Sequence, residues 1–213
     1  MAPSPVREAT LQAVLLSGVA NILAQYIESY KNEVEFKIDW IPFFQFILFA
    51  LLSTPPNFYW QSFLESTFPA HPPAPHPKKS DEPAPPPKLS VRNTVIKLVL
   101  DQTLGAVVNN MLFALYSRAI RDAMPGAPHI YSVFKAIDYW TTRGTVDFSK
   151  VDFKDVWDAS VGELWPIMLA SWKLWPFVSV VNFTLIKTVQ ARNLVGGIAG
   201  IAWGTYMSLV VSS

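Results

Sequence analysis

The sequence predicts an all-α, multispan transmembrane bundle of four to five hydrophobic helices plus an interfacial amphipathic helix. Three observations carry this. Charged residues make up 15% of the 213 residues, against roughly 25% in a soluble domain. Hydrophobic residues make up 51% and the mean hydropathy is +0.25. The charge that is present collects in a few places and leaves long uncharged runs between them.

A membrane-crossing helix needs about 20 mostly apolar residues to pass about 30 Å of hydrocarbon. The first such run extends from Ala9 to Ile27, with no charge between Glu8 and Glu28. The second, Trp40 to Leu64, is uncharged and bracketed by Asp39 and Glu65. The third, Thr94 to Tyr116, carries Lys97 and Asp101 near its start and ends before Arg118. The last runs from Leu194 to Val211. Between the third and last lies a charged stretch, Asp147 to Asp158, followed by a segment with two Trp-Pro pairs and an interrupting Lys173. Pro166 and Pro176 each remove a helix donor and favour a kink or a helix start. Residues Trp157 to Trp172 read as the interfacial amphipathic helix, and Leu174 to Val189 as a short span or a re-entrant piece. The whole chain, 1–213, reads as one transmembrane domain.

Residues 69–89 are a different material. Half of the eighteen prolines fall between Pro69 and Pro87. Such a stretch forms an extended, solvated loop rather than a helix. Lys and Arg favour the cytosol-like side. The excess of Lys78, Lys79, Lys88 and Arg92 over Asp81 and Glu82 places this loop, and with it the N-terminus, on that face. Met1 to Glu8 carry neither an Arg-rich presequence nor a separate signal peptide, which predicts internal targeting.

Polar residues inside the spans are the candidate functional groups. Ser17, Asn21 and Gln25 recur at spacing four on the first helix; Asp101, Gln102, Asn109 and Asn110 lie in the third; Asn182 lies in the Trp-Pro segment. Polar groups are costly in hydrocarbon and turn toward the bundle interior. Asn21, Gln25, Asp101, Gln102, Asn109 and Asn182 could therefore line a hydrophilic pathway, or could tie helices together by hydrogen bonds of about 0.6 to 2 kcal/mol each. On the last span, Gly196, Gly200, Gly204 and Ser208 recur at spacing four, the pattern of a close helix-packing face. Most of the eight tryptophans fall where spans meet headgroups, the usual aromatic belt.

Nothing points to an enzyme. There is no cysteine, two of the three histidines (His71, His76) lie in the Pro-rich loop, and no phosphate-binding glycine loop or HExxH pattern occurs. No catalytic centre, cofactor or metal site is expected. The net charge of +1 gives no reason to expect a nucleic-acid partner. The expected partners are the lipid bilayer and further membrane-protein copies or subunits.

The C-terminal third holds Trp172-Lys-Leu-Trp175-Pro176, Asn182-Phe183, Arg192 and Trp203-Gly-Thr-Tyr206-Met-Ser208. Together these resemble the signature of the Mpv17/PMP22 family. Upstream, Lys97-Leu-Val-Leu-Asp101-Gln102, Pro55 followed by Trp60, and Gly18 to Gln25 resemble further elements of it. Here Ala20-Asn21 replaces a Gly-Asp pair and Thr54 a glycine. The resemblance implies a small multispan protein of peroxisomal or inner mitochondrial membranes, and the lack of a presequence favours the peroxisome. It also implies a pore-like role for small polar solutes or, alternatively, a structural subunit docked on a larger membrane complex. It supplies no catalytic residues.

Overall fold

The computed structural model describes residues 4–72 and 88–211, with side chains through Trp203. Its helices are α1 (Pro5–Lys31), α2 (Trp40–Thr67), α3 (Val91–Leu100), α4 (Ala106–Ala123), α5 (Val133–Thr141), α6 (Phe153–Ser171), α7 (Trp175–Thr184) and α8 (Val189–Val211). No strand occurs among the described residues. A π-helical turn, Asp101–Gly105, joins α3 to α4, so the two form one run from Val91 to Ala123. Three helical runs are long and apolar enough to cross a membrane: Pro5–Lys31, Trp40–Thr67 and Val91–Ala123. They are the first three predicted spans, the first and third extended by a few residues at each end and the second only at its finish.

The ends of these helices explain themselves locally. Pro5 opens α1, where a missing N–H costs nothing. The Asp39 carboxylate caps α2 by accepting from the Ile41 amide at 3.0 Å. Ser90 caps α3, and Asp152 caps α6 by accepting from the Lys154 and Asp155 amides. The base of the Pro-rich loop is closed: the Ser90 amide donates to the Ala70 carbonyl at 2.8 Å and the Asn93 amide group to the Pro69 carbonyl at 2.9 Å. Residues 73–87 of that loop lie outside the described residues.

The sequence left the Trp-Pro segment open between a short span and a re-entrant piece. Helices α6 and α7 are bent by 61° and together meet the length and hydropathy of one broken span. Contacts at the two ends decide its path. At its start, Val151 and Val156 pack on Ala123 at the end of α4, and Arg118 of α4 forms an ion pair with Glu163. At its finish, the Phe183 ring lies under Lys97 of α3. The α6–α7 pair therefore runs from the end of the bundle where α4 stops to the end where α3 begins, and is a crossing. The helix expected over Trp157–Trp172 starts earlier, at Phe153, and packs along α4. Its outer face carries Trp157, Val161, Trp165 and Leu169, all exposed and apolar, which suits contact with lipid chains along much of its length. The most one-sided helix of the loop region is instead α5, which buries Ala136 and exposes Phe134 and Ile137.

The end bearing the α2–α3 connection is called proximal below, and the end bearing the α1–α2 and α4–α5 connections distal. Helix α1 packs along both α2 and α8. Gly18 makes room for the Phe43 ring: an added Cβ would lie 3.1 Å from Phe43 Cε2. Gly197 of α8 is in contact with Leu16 of α1.

Candidate functional site

Helix α2 carries Asn57, Gln61 and Glu65 at spacing four, and the α3–α4 run carries Lys97, Asp101, Gly105 and Asn109 at the same spacing. Residues four apart share a helix face, and the two faces meet antiparallel. Three rungs form a polar ladder. Lys97 Nζ lies 2.6 Å from Glu65 Oε2, Gln61 Nε2 donates to Asp101 Oδ1 at 2.8 Å, and Asn109 Nδ2 donates to Asn57 Oδ1 at 3.4 Å. The three rungs span eight residues on α2 and twelve on α3–α4, about 12 to 18 Å at about 1.5 Å per residue, or roughly half of a hydrocarbon core of about 30 Å.

The proximal rung is an ion-pair lock. Glu65 Oε2 is shared by Lys97 and by Arg192 Nη1 at 2.7 Å, while Glu65 Oε1 accepts from the Ala70 amide at 3.0 Å. Both cations sit over the Phe183 ring, at 4.9 and 5.4 Å from its centroid. Lys97 and Arg192 are buried, with side chains 0% and 2% exposed. Arg192 Nε also donates to the Asn182 and Ile186 carbonyls at 3.0 Å, tying the end of α7 to the start of α8.

The middle rung centres on Asp101, whose two oxygens accept from four donors: Trp60 Nε1 at 3.3 Å, Gln61 Nε2, Gln102 Nε2 at 3.3 Å and Ser179 Oγ at 2.6 Å. Gln102 Nε2 also donates to Ser179 Oγ at 2.8 Å, and Trp172 Nε1 to the Gln102 carbonyl at 3.0 Å. Asp101 opens the π-helical turn, in which the Ala106 amide donates to its carbonyl. Such turns are uncommon within α-helices and gather at functional positions. Gly105 completes it and admits Trp60: an added Cβ would lie 2.7 Å from Trp60 Nε1.

Below the third rung, Asn57 Nδ2 donates to Asn193 Oδ1 of α8 at 3.3 Å. The seam then meets aromatic rings. Phe49 packs on Phe113 and Tyr116 at centroid distances of 5.3 and 5.2 Å, and the Tyr116 hydroxyl donates to the Gln45 carbonyl at 2.7 Å. A separate distal cluster gathers around Asp39. Gln25 Oε1 accepts from the Asp39 amide at 2.7 Å, Gln25 Nε2 donates to Asn21 Oδ1 at 2.7 Å, and His129 Nδ1 lies 2.6 Å from Asp39 Oδ2. Outside the spans, the Glu35 carboxylate hydrogen-bonded to Lys37 raises that amine's pKa, and the Ser149 hydroxyl lowers that of Asp147. Among the described residues no three His, Asp or Glu side chains are placed to hold a metal ion.

The pathway residues expected from sequence thus fall in two places. Asp101, Gln102 and Asn109 lie on the ladder and Asn182 beside its proximal lock, whereas Asn21 and Gln25 join the distal cluster beyond the aromatic rings. Asn57, Gln61, Glu65, Lys97 and Ser179 were not among them. The spacing 57, 61, 65 was the signal that could have found three of these. On α8, a Cβ added at Gly196 or Gly200 would meet nothing within 4 Å, and the glycine engaged by α1 is their neighbour Gly197. The side chains of Tyr206 and Ser208, and Gly204, lie outside the described residues.

Residues 148–208 match the family model described as the Mpv17 / PMP22 family. Over that segment the chain is similar to the Mpv17/PMP22 family. It is 24% identical over 212 residues to the PXMP2/4 family protein 3 of Dictyostelium discoideum, covering 98% of this chain and 85% of that protein. It is 32% identical to the Protein SYM1 of Gibberella zeae over 106 residues, half of this chain and 54% of that one. It is also 32% identical to the Protein SYM1 of Saccharomyces cerevisiae over 100 residues, 47% and 45% of the two chains. No solved structure matches. The segment matched to the Mpv17/PMP22 model spans α6 to α8 and supplies one wall of the seam: Trp172, Ser179, Asn182, Phe183, Arg192 and Asn193. Within that segment Trp175 and Pro176 start α7 after the bend, and Trp203 is half-buried on α8.

Proposed function

We propose that this chain provides a passive pathway for small polar solutes across an organelle membrane, along the seam between α2 and α3–α4. The observation that supports the reading is the ladder itself. One or two hydrogen bonds suffice to tie two membrane helices. Here two carboxylates, two cations and three amide side chains line up through roughly half of the hydrocarbon thickness, where ionisable groups are costly and mark solute routes. Side-chain contacts join α2 to α3–α4, and a solute would pass by exchanging with them. Phe49, Phe113 and Tyr116 close it on the distal side, and conduction requires these rings to part.

The test is solute release from liposomes reconstituted with the full chain. Release above protein-free vesicles is expected, and Asp101→Ala and Asn109→Leu should each slow it about fivefold or more, the effect of about 1 kcal/mol in a barrier. Release no faster than from empty vesicles would reject the pathway. The resemblance supports a peroxisomal or an inner mitochondrial membrane.

A second reading, a structural subunit docked on further membrane proteins or on copies of itself, is favoured by the open face at Gly196 and Gly200. The native mass of the protein in mild detergent separates it from a lone pathway-forming chain.

A further inference from the structure

We infer that the cleft between α4 and α6, at the distal end of the bundle, holds one phospholipid headgroup that carries both a phosphate and a primary ammonium. The inference is independent of the solute pathway. A cavity of about 170 Å³ opens there, lined by Arg118, Arg121, Asp122, Asp155, Val156 and Ala159. It lies where both helices leave the hydrocarbon. The α3–α4 run is uncharged from Gln102 to Ser117 and regains charge at Arg118. Helix α6 carries charge up to Glu163 and none from Leu164 to its end at Ser171. Phe153 and Trp157, at the start of α6, are exposed, as aromatic side chains are at headgroup level.

The charges of the cavity do not neutralise one another. Arg118 is paired with Glu163. The side chains of Arg121, Asp122 and Asp155 have no ion-pair or hydrogen-bond partner among the described residues. One guanidinium and two carboxylates are therefore left around one small space, at the edge of a layer where opposite charges attract more strongly than in bulk water. A guanidinium binds phosphate through paired N–H donors. Carboxylates only accept, and suit an ammonium; a primary ammonium has three donors to share between two of them, whereas a quaternary one has none. A headgroup with a phosphate and no amine would leave both carboxylates facing a like charge.

The cavity is smaller than the about 300–1,000 Å³ of sites that enclose a whole small molecule, which suits a headgroup whose chains stay outside. A course for those chains adjoins it. Asp155, Ala159, Gly162 and Pro166 share one face of α6. Gly162 and Pro166 are exposed, and a Cβ added at Gly162 would meet nothing within 4 Å. On α4, Val108, Met111, Leu115 and Arg118 repeat the spacing. Past the Arg118–Glu163 pair both faces are uncharged, so they lead from the cavity into the membrane interior as an apolar course.

Native mass spectrometry tests this on the full chain, extracted in mild detergent from vesicles of phosphatidylethanolamine, phosphatidylcholine and phosphatidylglycerol in equal parts. One phosphatidylethanolamine should be retained on the order of fivefold over either of the others, the effect of one charge-assisted hydrogen bond. The double variant Asp122→Asn, Asp155→Asn should lose that preference and retain more phosphatidylglycerol. Arg121→Gln should lower retention of all three lipids about fivefold. Gly162→Leu, which fills the course of the chains and leaves the charges in place, should lower it as well. Inorganic phosphate in excess should leave the lipid bound; its displacement by phosphate alone would show a site for a free anion and overturn the lipid assignment. Equal retention of the three lipids by the native chain, or a preference unchanged in the double asparagine variant, overturns the inference.

Discussion

Glu65→Gln is expected to destabilise the protein in mild detergent by about 3 kcal/mol, more than any other single change in the seam. The substitution removes the one anion shared by two buried cations and leaves Lys97 and Arg192 facing the same neutral amide. Removing one partner of a buried ion pair typically costs about 3–5 kcal/mol because the other charge is stranded. The lower end applies here because the Glu65 side chain is 27% exposed and water can reach the site. Lys97→Met should cost less, since Arg192 still neutralises Glu65. The double variant should recover part of the loss, because only one stranded cation remains. Thermal unfolding of the three variants in one detergent checks the order. Equal midpoints for Glu65→Gln and the native chain would mean that the lock does not hold α2, α3 and α8 together.

Gly105→Val should have the next largest effect. The position has no unusual backbone angle; the constraint is contact. A Cβ there would come within 2.7 Å of Trp60 Nε1 and 3.3 Å of Asp101 Oδ1. Trp60 cannot easily yield, because its ring stacks on Phe63 at 5.9 Å. Inserting bulk into a packed site costs about 1–3 kcal/mol, and here it also separates the Trp60 donor from Asp101. The expected result is a lowered unfolding midpoint together with a red-shifted tryptophan emission as Trp60 leaves its partner. Gly196→Val, where nothing lies within 4 Å of the added Cβ, is the matched control and should leave both unchanged in the isolated protein.

The spans were legible in the sequence because hydrocarbon tolerates few charges. Uncharged runs of about 20 residues have little alternative, and α1, α2 and the α3–α4 run fall on them. The last predicted span, Leu194 to Val211, lies within α8, and its side chains beyond Trp203 are outside the described residues. One half of the ladder was legible as well, since Asp101, Gln102 and Asn109 are polar in an apolar run. The other half was not. Glu65 reads as the boundary of its span until Lys97, 32 residues away across the Pro-rich loop, is seen to lie against it. No spacing within one helix reveals the register between two. The same limit explains the glycines of α8. A repeat at Gly196 and Gly200 predicts a packing face, but the face engaged by α1 is one residue on, at Gly197, a rotation of about 100° about the helix axis. The Trp-Pro segment was ambiguous because Lys173 and two prolines break its apolar run. Only its contacts at both ends of the bundle, with Ala123 and with Lys97, establish that it crosses.

The central claim is that the ladder side of the α3–α4 run meets water while the exposed face at Val107 meets lipid. The chain contains no cysteine, so single cysteines can be introduced without removing any. Asn109→Cys and Val107→Cys lie at the same membrane depth on opposite faces of α4. In reconstituted vesicles, the account predicts that a membrane-impermeant thiol reagent labels the cysteine at position 109 and leaves that at 107 untouched. Equal silence at both positions, with each cysteine reactive after the vesicles are dissolved in detergent, would contradict it.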